Sequence, residues 1–529
     1  MIIYLCLFFS LCHPIAAVQP EESFRRTQVV VLGAGASGIA AALTLHDMNI
    51  TDFILVDAQS FLGGRVQHHP FGQTNVELGA NWIYGKGRNP IYQLAQQHGL
   101  KSIPNDKKNV VYFSEGRIPQ DQGQRISDWF DSTMERMVQF ADERMKRNQV
   151  DLSSRTALHL SGWIPDTPLK AAVEYFAVNW EMAEPAELSS LDYATGTVDT
   201  VSGSFPLGND FVIDPRGFNY ILEQEAKTVL NDNDSRLLLN TRVTDVIYGE
   251  ENDNKVTILT ANGTKIIADH ALCTFSLGVL QHNDVQFKPD FPEWKREALY
   301  SFHMTTYTKI FVKFDTKFWG DWQFALYASN KTQHGGDYTV WQNLVSDSKH
   351  DNILMVTTTF KESELIEGKT DKQVSQDIQK ILQRMFPEVH VPFPTDILIP
   401  RWHQHPLFRG SYSNWPIGMS VQHHDNMRAP LPLTTPHLWF AGEAMSRKYY
   451  GYLHGAWMDG QQAATAIGQC ILLKNCSHYH HHPLVTGCAK ESHLNRLQRT
   501  SRSTDNSARY QQYSFLPVQH QQHPFLQDQ

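Results

Sequence analysis

Hydrophobic and polar positions change rhythm along this chain. Gln28–Leu32 is an unbroken β-branched and apolar run, which predicts a strand buried on both faces, as in a parallel sheet. A glycine turn follows it. Ser37–Met48 then predicts a helix and Phe53–Val56 the next strand, so the opening reads as a βαβ unit. Residues 116–210 are charged and helix-like, with several Trp and Met. Alternating strands return over Arg236–Ala271. Residues 296–395 mix strand patterns, TKIFVKF and ILMVTTTF, with a helix over Asp371–Met385. Leu438–Phe440 is another short buried strand, leading into a helix over Tyr452–Leu473.

Strands of the first kind recur in three separated blocks. This predicts an α/β protein: a Rossmann-like dinucleotide-binding domain in three segments (26–115, 213–295, 398–476), with an α+β domain inserted in two (116–212, 296–397). The two ends differ from this body. Residues 1–17 form a short apolar run ending in small residues, the pattern of a secretory signal peptide cut near Ala17, although no Lys or Arg precedes it. From Ser477 the chain is rich in His, Gln, Ser and Arg with little periodicity, which predicts a disordered tail. Its YHHH cluster reads as solvated low-complexity sequence, and no metal site is expected.

Length and composition suit a globular body: 529 residues, 41% hydrophobic. The net charge of −9 gives no support to nucleic-acid binding; it suits a cationic ligand, but from charge alone ordinary solubility is the favoured reading. After the signal no run is long and apolar enough to span a bilayer, so no stable membrane insertion is expected. Cys6 and Cys12 lie in the signal; Cys470 and Cys476 are close enough in sequence to pair in an oxidising compartment, or remain free thiols. Asn49, Asn233, Asn262, Asn330 and Asn475 open N-x-S/T sequons, which carry meaning only in a secreted chain.

The first candidate chemistry is GAGASG. Gly33 permits the tight turn, Gly35 lets backbone approach a pyrophosphate, and Gly38 lets helix and strand pack closely. The helix N-terminus then faces phosphate charge. Asp57 ends the next strand, where a carboxylate accepts from ribose hydroxyls. A second glycine pair, Gly63 and Gly64, precedes Arg65, and Gly442–Glu443 follows a short strand near the other end of the chain. An Arg after that second glycine pair puts a cation near the pyrophosphate, which a NAD dehydrogenase does not usually need.

Here the sequence resembles the flavin amine oxidases, the family of monoamine oxidases, polyamine oxidases and lysine-specific histone demethylases. The resemblance spans about Gln28 to Cys476. It rests on DAQSFLGGRV, ELGANWIYG (Glu77–Gly85), TFSLGVLQ (Thr274–Gln281), YTKIFVKF (Tyr307–Phe314), PRWHQHPLFRGSYSNWPIG (Pro400–Gly418) and FAGEAMSRKYYGYLHGA (Phe440–Ala456). VELGANW, the AEP of WEMAEP, YTKIF, SNWP and GYLHGA point to the secreted, plant-type polyamine oxidases. The implied architecture is the amine-oxidase fold, a GR2-type FAD-binding domain with an inserted substrate-binding domain.

The resemblance implies roles residue by residue. Asp57 takes the ribose position, Arg65 and Gly79, Ala80, Asn81 and Trp82 line the cofactor, and Val243 contacts the adenine half through its backbone. Trp402 packs by the flavin ring, Glu443 binds near the ribityl or pyrophosphate, and Leu453 offers its backbone to the ring. Lys309 aligns with the active-site lysine that holds a water at the flavin; on residues alone it is equally an outward-facing strand lysine. Tyr412 and Tyr452 match the aromatic pair flanking the reacting amine, positions that core packing also explains. Ser411 stands where the monoamine oxidase branch carries a flavin-tethering Cys, so the expected FAD is non-covalent.

The substrate positions depart from the pattern. Glu181 matches one tunnel carboxylate, while Tyr84 replaces the second, so an aromatic face and a neutral oxygen stand where an acid is expected. Glu184 reads as structural. The leading expectation is a secreted, monomeric polyamine oxidase that takes a polyamine and O2, with the plant-type resemblance hinting at release of 4-aminobutanal and 1,3-diaminopropane. The alternatives are an oxidase of another amine (an acetylated polyamine, a monoamine or an L-amino acid) and a non-enzymatic flavin scaffold or chromatin relative, against which the signal peptide and Lys309 argue.

Overall fold

The computed structural model describes residues 24–105, 107, 109–195, 204–205, 208–231, 233–249, 254–330, 338–344, 352–474 and 476. The segment 1–17 expected to be a signal peptide, the tail from Ser477 with its YHHH cluster, and the Asn475 sequon lie outside the described residues.

The apolar run at the start extends as strand Phe24–Leu32, and Val29–Leu32 are fully buried. It lies between Phe53–Val56 and Lys265–Cys273, parallel to both, so both its faces are covered, as the lack of polar alternation requires. The eight-stranded sheet continues outward through Leu237–Leu238 on one side. On the other come Val256–Thr260, Val243–Ile247 and Gln286–Lys288. Leu438–Phe440 adds to Lys265–Cys273 in parallel, bringing the late segment beside the first. Helix Ala36–Asp47 and helix Leu453–Leu473 pack on one face, sharing a core with Phe218, Ile221 and Trp457.

The second sheet has seven strands, ordered Asp396–Leu398, Tyr307–Phe314, Asn352–Thr359, Val340–Asn343, Phe324–Tyr327, Val110–Ser114, Gly116–Arg117. Helix Asp371–Met385, capped by a Thr370–Gln373 capping box, buries Val374, Ile378 and Leu382 against it. Two boundaries move. Val110–Ser114, expected in the first dinucleotide segment, pairs in parallel with Phe324–Tyr327 of the second sheet. Asp210–Val212, expected at the end of the inserted segment, pairs with Trp82–Ile83 and Ser102–Pro104, and Val212 joins the first core. A short apolar strand fits either sheet equally well by pattern. Its partner in each case lies more than a hundred residues away in sequence, so pairing decides.

Helical segments Gln120–Lys146 and Pro168–Met182 pack on the second sheet through Phe130, Met137 and Leu169. The latter contains a π-turn at Tyr175–Asn179 and ends at Ala183, which takes a left-handed conformation (φ 57°). Alanine pays about 1–2 kcal/mol for that geometry. The chain then leaves through Glu184–Pro185, and the stop fixes Glu181 on the last helical turn. Cys470 and Cys476 form a disulfide; Cys273 is buried with a free thiol. Among the described residues no helix is long and apolar enough to cross a membrane, and no group of three or more His, Cys, Asp or Glu is placed to hold a metal ion.

Candidate active site

One cavity of about 460 Å³ runs from the first glycine turn to Tyr452. Its walls come from both sheets, and it has two chemically distinct ends.

At the glycine end, Gly33 (φ 111°) turns the chain and donates from its amide to Val56 O at 2.7 Å. Gly38 is required by close packing: a Cβ there would lie 1.8 Å from Gly33 O. Gly35 is different. A Cβ on it would meet only Gly64 Cα, at 3.8 Å, and would stand in the cavity between the two glycine loops. Gly442 (φ 143°) likewise has nothing within 4 Å of a built Cβ. Helix Ala36–Asp47 starts without a side-chain cap, so its first N–H groups are free for an anion. The Ser37 hydroxyl in its first turn is buried without a hydrogen-bond partner, the mark of a polar group that awaits a ligand.

Asp57 accepts from Ala34 N through Oδ2 and from Gln59 N through Oδ1, each at 2.7 Å. Burial raises its carboxyl above the usual range while the two amides oppose that rise. Each oxygen keeps a second lone pair for a ribose hydroxyl. Val243 lines the same stretch at the start of its strand.

Arg65 and Glu443, read as two separate cofactor contacts, pair with each other: Arg65 Nη1 reaches Glu443 Oε1 at 2.9 Å and also donates to Ser411 O at 2.8 Å. Glu443 Oε2 accepts from Ser413 Oγ at 2.5 Å and Gly451 N at 2.8 Å. The pair therefore clasps the two ends of the chain around the groove, at a sequence separation of 378 residues.

In the middle of the cavity, Trp402 donates Nε1 to Leu78 O at 3.3 Å and lays its ring against Gly79, beside Ala80, Asn81 and Trp82. Lys309 points inward, not outward; it is 2% exposed. Its Nζ donates to Gly79 O (2.7 Å), Glu77 O (2.9 Å) and Asn81 Oδ1 (3.3 Å), over the Trp82 ring at 4.9 Å. Burial lowers its pKa to about 7, and the neighbouring Glu77 carboxylate opposes the shift. A neutral amine has two donors for these three acceptors and one lone pair, so losing a proton releases a bond and creates a base. Ser411, at the tethering position, is engaged elsewhere: its Oγ donates to Tyr307 O at 3.0 Å and accepts from Tyr307 N at 2.9 Å. Helix Leu453–Leu473 begins at the cavity with no side-chain cap on its first turn, so the amide of Leu453 and the positive helix end face inward.

At the far end the side chains take over. Glu181 Oε1 accepts from Tyr452 OH at 3.1 Å and Oε2 from Tyr84 OH at 3.3 Å; Tyr412 OH donates to Glu181 O at 3.1 Å. The Tyr84 and Tyr452 rings meet edge to face, centroids 5.0 Å apart. Burial, then the Glu181 charge, raises Tyr84 and Tyr452 well above 10, so both stay neutral phenols. Glu184 is set apart from this group: it binds His303 Nδ1 and Asn414 Nδ2 and braces the wall.

All the sequence-predicted site residues line this one cavity apart from Gly38, which acts on the packing behind it. Among the residues missed, three stand out at the amine end and beside Lys309. Tyr307 lies two positions before Lys309 on the same strand and so shares its face, a signal the period-two pattern carries. Trp180 adjoins Glu181 and also lines the cavity. Lys107 pairs with Glu181 Oε2 at 3.0 Å and nothing in its sequence context announces it.

A family described as flavin containing amine oxidoreductase matches residues 36–468. "Polyamine oxidase 6" of Oryza sativa subsp. japonica is 35% identical over 497 residues, covering 90% of this chain and 97% of that protein. "Polyamine oxidase 1" of Zea mays is 35% identical over 475 residues, covering 85% and 92%. Among solved structures, a wild-type putrescine oxidase bound to putrescine superposes with a TM-score of 0.66 at 16% identity, over 84% of this chain and 99% of that one, which establishes the amine-oxidase fold. The residues present fit FAD: an open glycine cradle, a ribose acid, an orphaned Ser37 hydroxyl and an inward helix end. This chain belongs to the flavin containing amine oxidoreductase family and is an FAD-dependent amine oxidase.

Proposed function

We propose that the chain oxidises a polyamine of the spermidine or spermine type, using O2, after secretion. The observation that carries this reading is Glu181. It is a nearly buried carboxylate among Tyr84, Trp180 and Tyr452 in the same cavity as the glycine cradle, where a second ammonium of an extended cation finds both charge and ring faces. The polyamine oxidases of rice and maize, similar over most of the chain, support the same class.

When bound, FAD would supply the acceptor for the hydride equivalent leaving the carbon beside the amine nitrogen. The chain's residues orient the amine between Tyr412 and Tyr452, hold the far ammonium at Glu181, and place Lys309 to move a proton with a water. Hydrolysis of the imine consumes one water and gives an aminoaldehyde and a smaller amine; O2 takes the two electrons and two protons as H2O2. Serine at 411 offers no thiol for a thioether, so the FAD is held non-covalently by the Arg65–Glu443 clasp and the glycine loops. Residues 1–17 serve as the export signal, and the Cys470–Cys476 disulfide supports an oxidising destination.

The test is direct. The purified chain releases yellow flavin on acid treatment, and peroxide is measured with spermine, spermidine, acetylspermine, putrescine, benzylamine and leucine. Absence of turnover with every polyamine overturns the reading. Peroxide from benzylamine alone would favour a second one, oxidation of an amine with a single cationic centre, which the existing Lys107–Glu181 pair also accommodates. Sequencing the N-terminus of exported protein checks the signal: a start near Val18 is expected, and retention inside the cell opposes it.

A further inference from the structure

The cation subsite at the far end of the cavity is already filled by the protein itself. Lys107 Nζ is 3.0 Å from Glu181 Oε2, 4.7 Å from the centroid of the Trp180 ring and 5.7 Å from that of Tyr84. A carboxylate and two ring faces are the partners that a substrate ammonium needs in order to leave water. The two charges are unequally exposed. The Lys107 side chain is 33% exposed and that of Glu181 8%, so the lysine enters from the solvent side and the carboxylate belongs to the wall. The backbone beneath Lys107 is tied to that wall: its amide donates to Asn105 O at 3.2 Å, and Asn105 Oδ1 accepts from Trp82 Nε1 at 3.2 Å.

We propose that Lys107 is a specificity-determining residue, a tethered ammonium that occupies the Glu181–Trp180–Tyr84 subsite and that a substrate's second ammonium must displace. This rests on the polyamine reading of the same cavity. The displacement is feasible because the lysine stem is flexible and its head, once out, lies near solvent, while Glu181 keeps Tyr452 and Tyr84 as donors during the exchange. The consequence is selective. An amine with a second ammonium binds only to the fraction of molecules in which Lys107 has left, so its apparent affinity is reduced by that fraction. An amine with an apolar tail leaves the Lys107–Glu181 pair in place and bears no such penalty. Tyr84, standing where a second carboxylate is expected, makes the competition sharper: one acid serves two cations.

The experiment uses dithionite-reduced holoenzyme under anaerobic conditions, so that amines bind without being consumed. Calorimetric titrations with spermidine and with hexylamine compare the wild-type chain with Lys107→Met, Lys107→Gln and Lys107→Arg. Met keeps the apolar stem packed on Trp180 without the charge; Gln supplies the same measurement if the Met variant loses flavin. The expected result is spermidine binding about tenfold tighter in Lys107→Met or Lys107→Gln, with hexylamine changed less than about twofold and Lys107→Arg close to wild type. Spermidine affinity that stays equal or weakens in both neutral variants, or hexylamine that tightens as much as spermidine, overturns the proposal. The peroxide assay judges the polyamine reading separately, because binding to the reduced enzyme does not depend on turnover.

Discussion

The two ends of the cavity recognise their ligands in opposite ways. The glycine end works by removing side chains: Gly35 and Gly442 leave open space, and recognition falls to backbone amides and a helix terminus. The amine end works by adding them: Glu181, Tyr84, Tyr452, Tyr412 and Lys107 converge from separate stretches of chain. Backbone recognition is written in short local motifs, because glycine spacing fixes the turn. Side-chain recognition depends on where distant segments meet. Lys309 stands between them, bonded to the backbone of the ELGAN segment, with burial holding its ammonium below the usual lysine range.

That middle position gives the largest expected effect. Lys309→Met should lower the turnover rate by about 10²–10³-fold, the range of a lost proton-transfer group. In the wild type the rate should climb as pH rises through the pKa that burial lowers at Lys309, where the ammonium loses its proton, and this limb should be missing from the variant. A variant with the same limb would assign it to another group. Flavin content, read from the visible spectrum, separates this from misfolding.

The glycine end is broken by a paired substitution. Gly38→Ala places a Cβ 1.8 Å from Gly33 O and should cost about 3 kcal/mol of stability, seen as a lowered Tm and poor flavin retention. Gly35→Ala should leave the Tm of the flavin-free protein nearly unchanged while weakening FAD binding by about tenfold, since its Cβ stands in the cradle. Equal losses of stability in both would mean that Gly35 serves packing, not the ligand.

At the amine end, Glu181→Gln should lower kcat/KM for spermidine by about thirtyfold, a loss of about 2 kcal/mol, with flavin content intact. It removes the charge and keeps one amide oxygen to accept from Tyr452 or Tyr84, the other phenol then facing the NH2 group. A loss as large for hexylamine would show that Glu181 shapes the pocket in general. The smallest effect belongs to Tyr84→Phe, which deletes only the 3.3 Å bond to Glu181; a KM change of about threefold is expected, and steady-state kinetics check it. An order-of-magnitude change would make the phenol, rather than the ring, the important half of Tyr84.

Much of the fold was legible in advance. The helix over Asp371–Met385 and the strands Phe53–Val56 and Leu438–Phe440 occupy the predicted residues, because periodicity and apolar runs are local properties. The lobe boundaries were less so: Val110–Ser114 joins the second sheet, and Asp210–Val212 joins a small three-stranded sheet with Trp82–Ile83 and Ser102–Pro104. Nothing in VVYFS or DFV names a partner strand. The site divides in the same way. Gly33, Gly35, Asp57 and Arg65 are readable from two short motifs near the start of the chain, whereas the Arg65–Glu443 clasp and the bracing role of Glu184 appear only once the chain ends meet.

By itself, then, the sequence determined the dinucleotide cradle, since the backbone geometry of a strand, glycine turn and helix is set by neighbours a few residues apart. Resemblance carried the amine chemistry to Lys309, Tyr412 and Tyr452. Only the tertiary structure decided that Lys309 is buried against carbonyls, that Tyr84 donates to Glu181, and that Lys107 pairs with Glu181. Those outcomes depend on burial and on distances between residues remote in sequence, and a charge or a ring acquires its role only from what the fold places beside it.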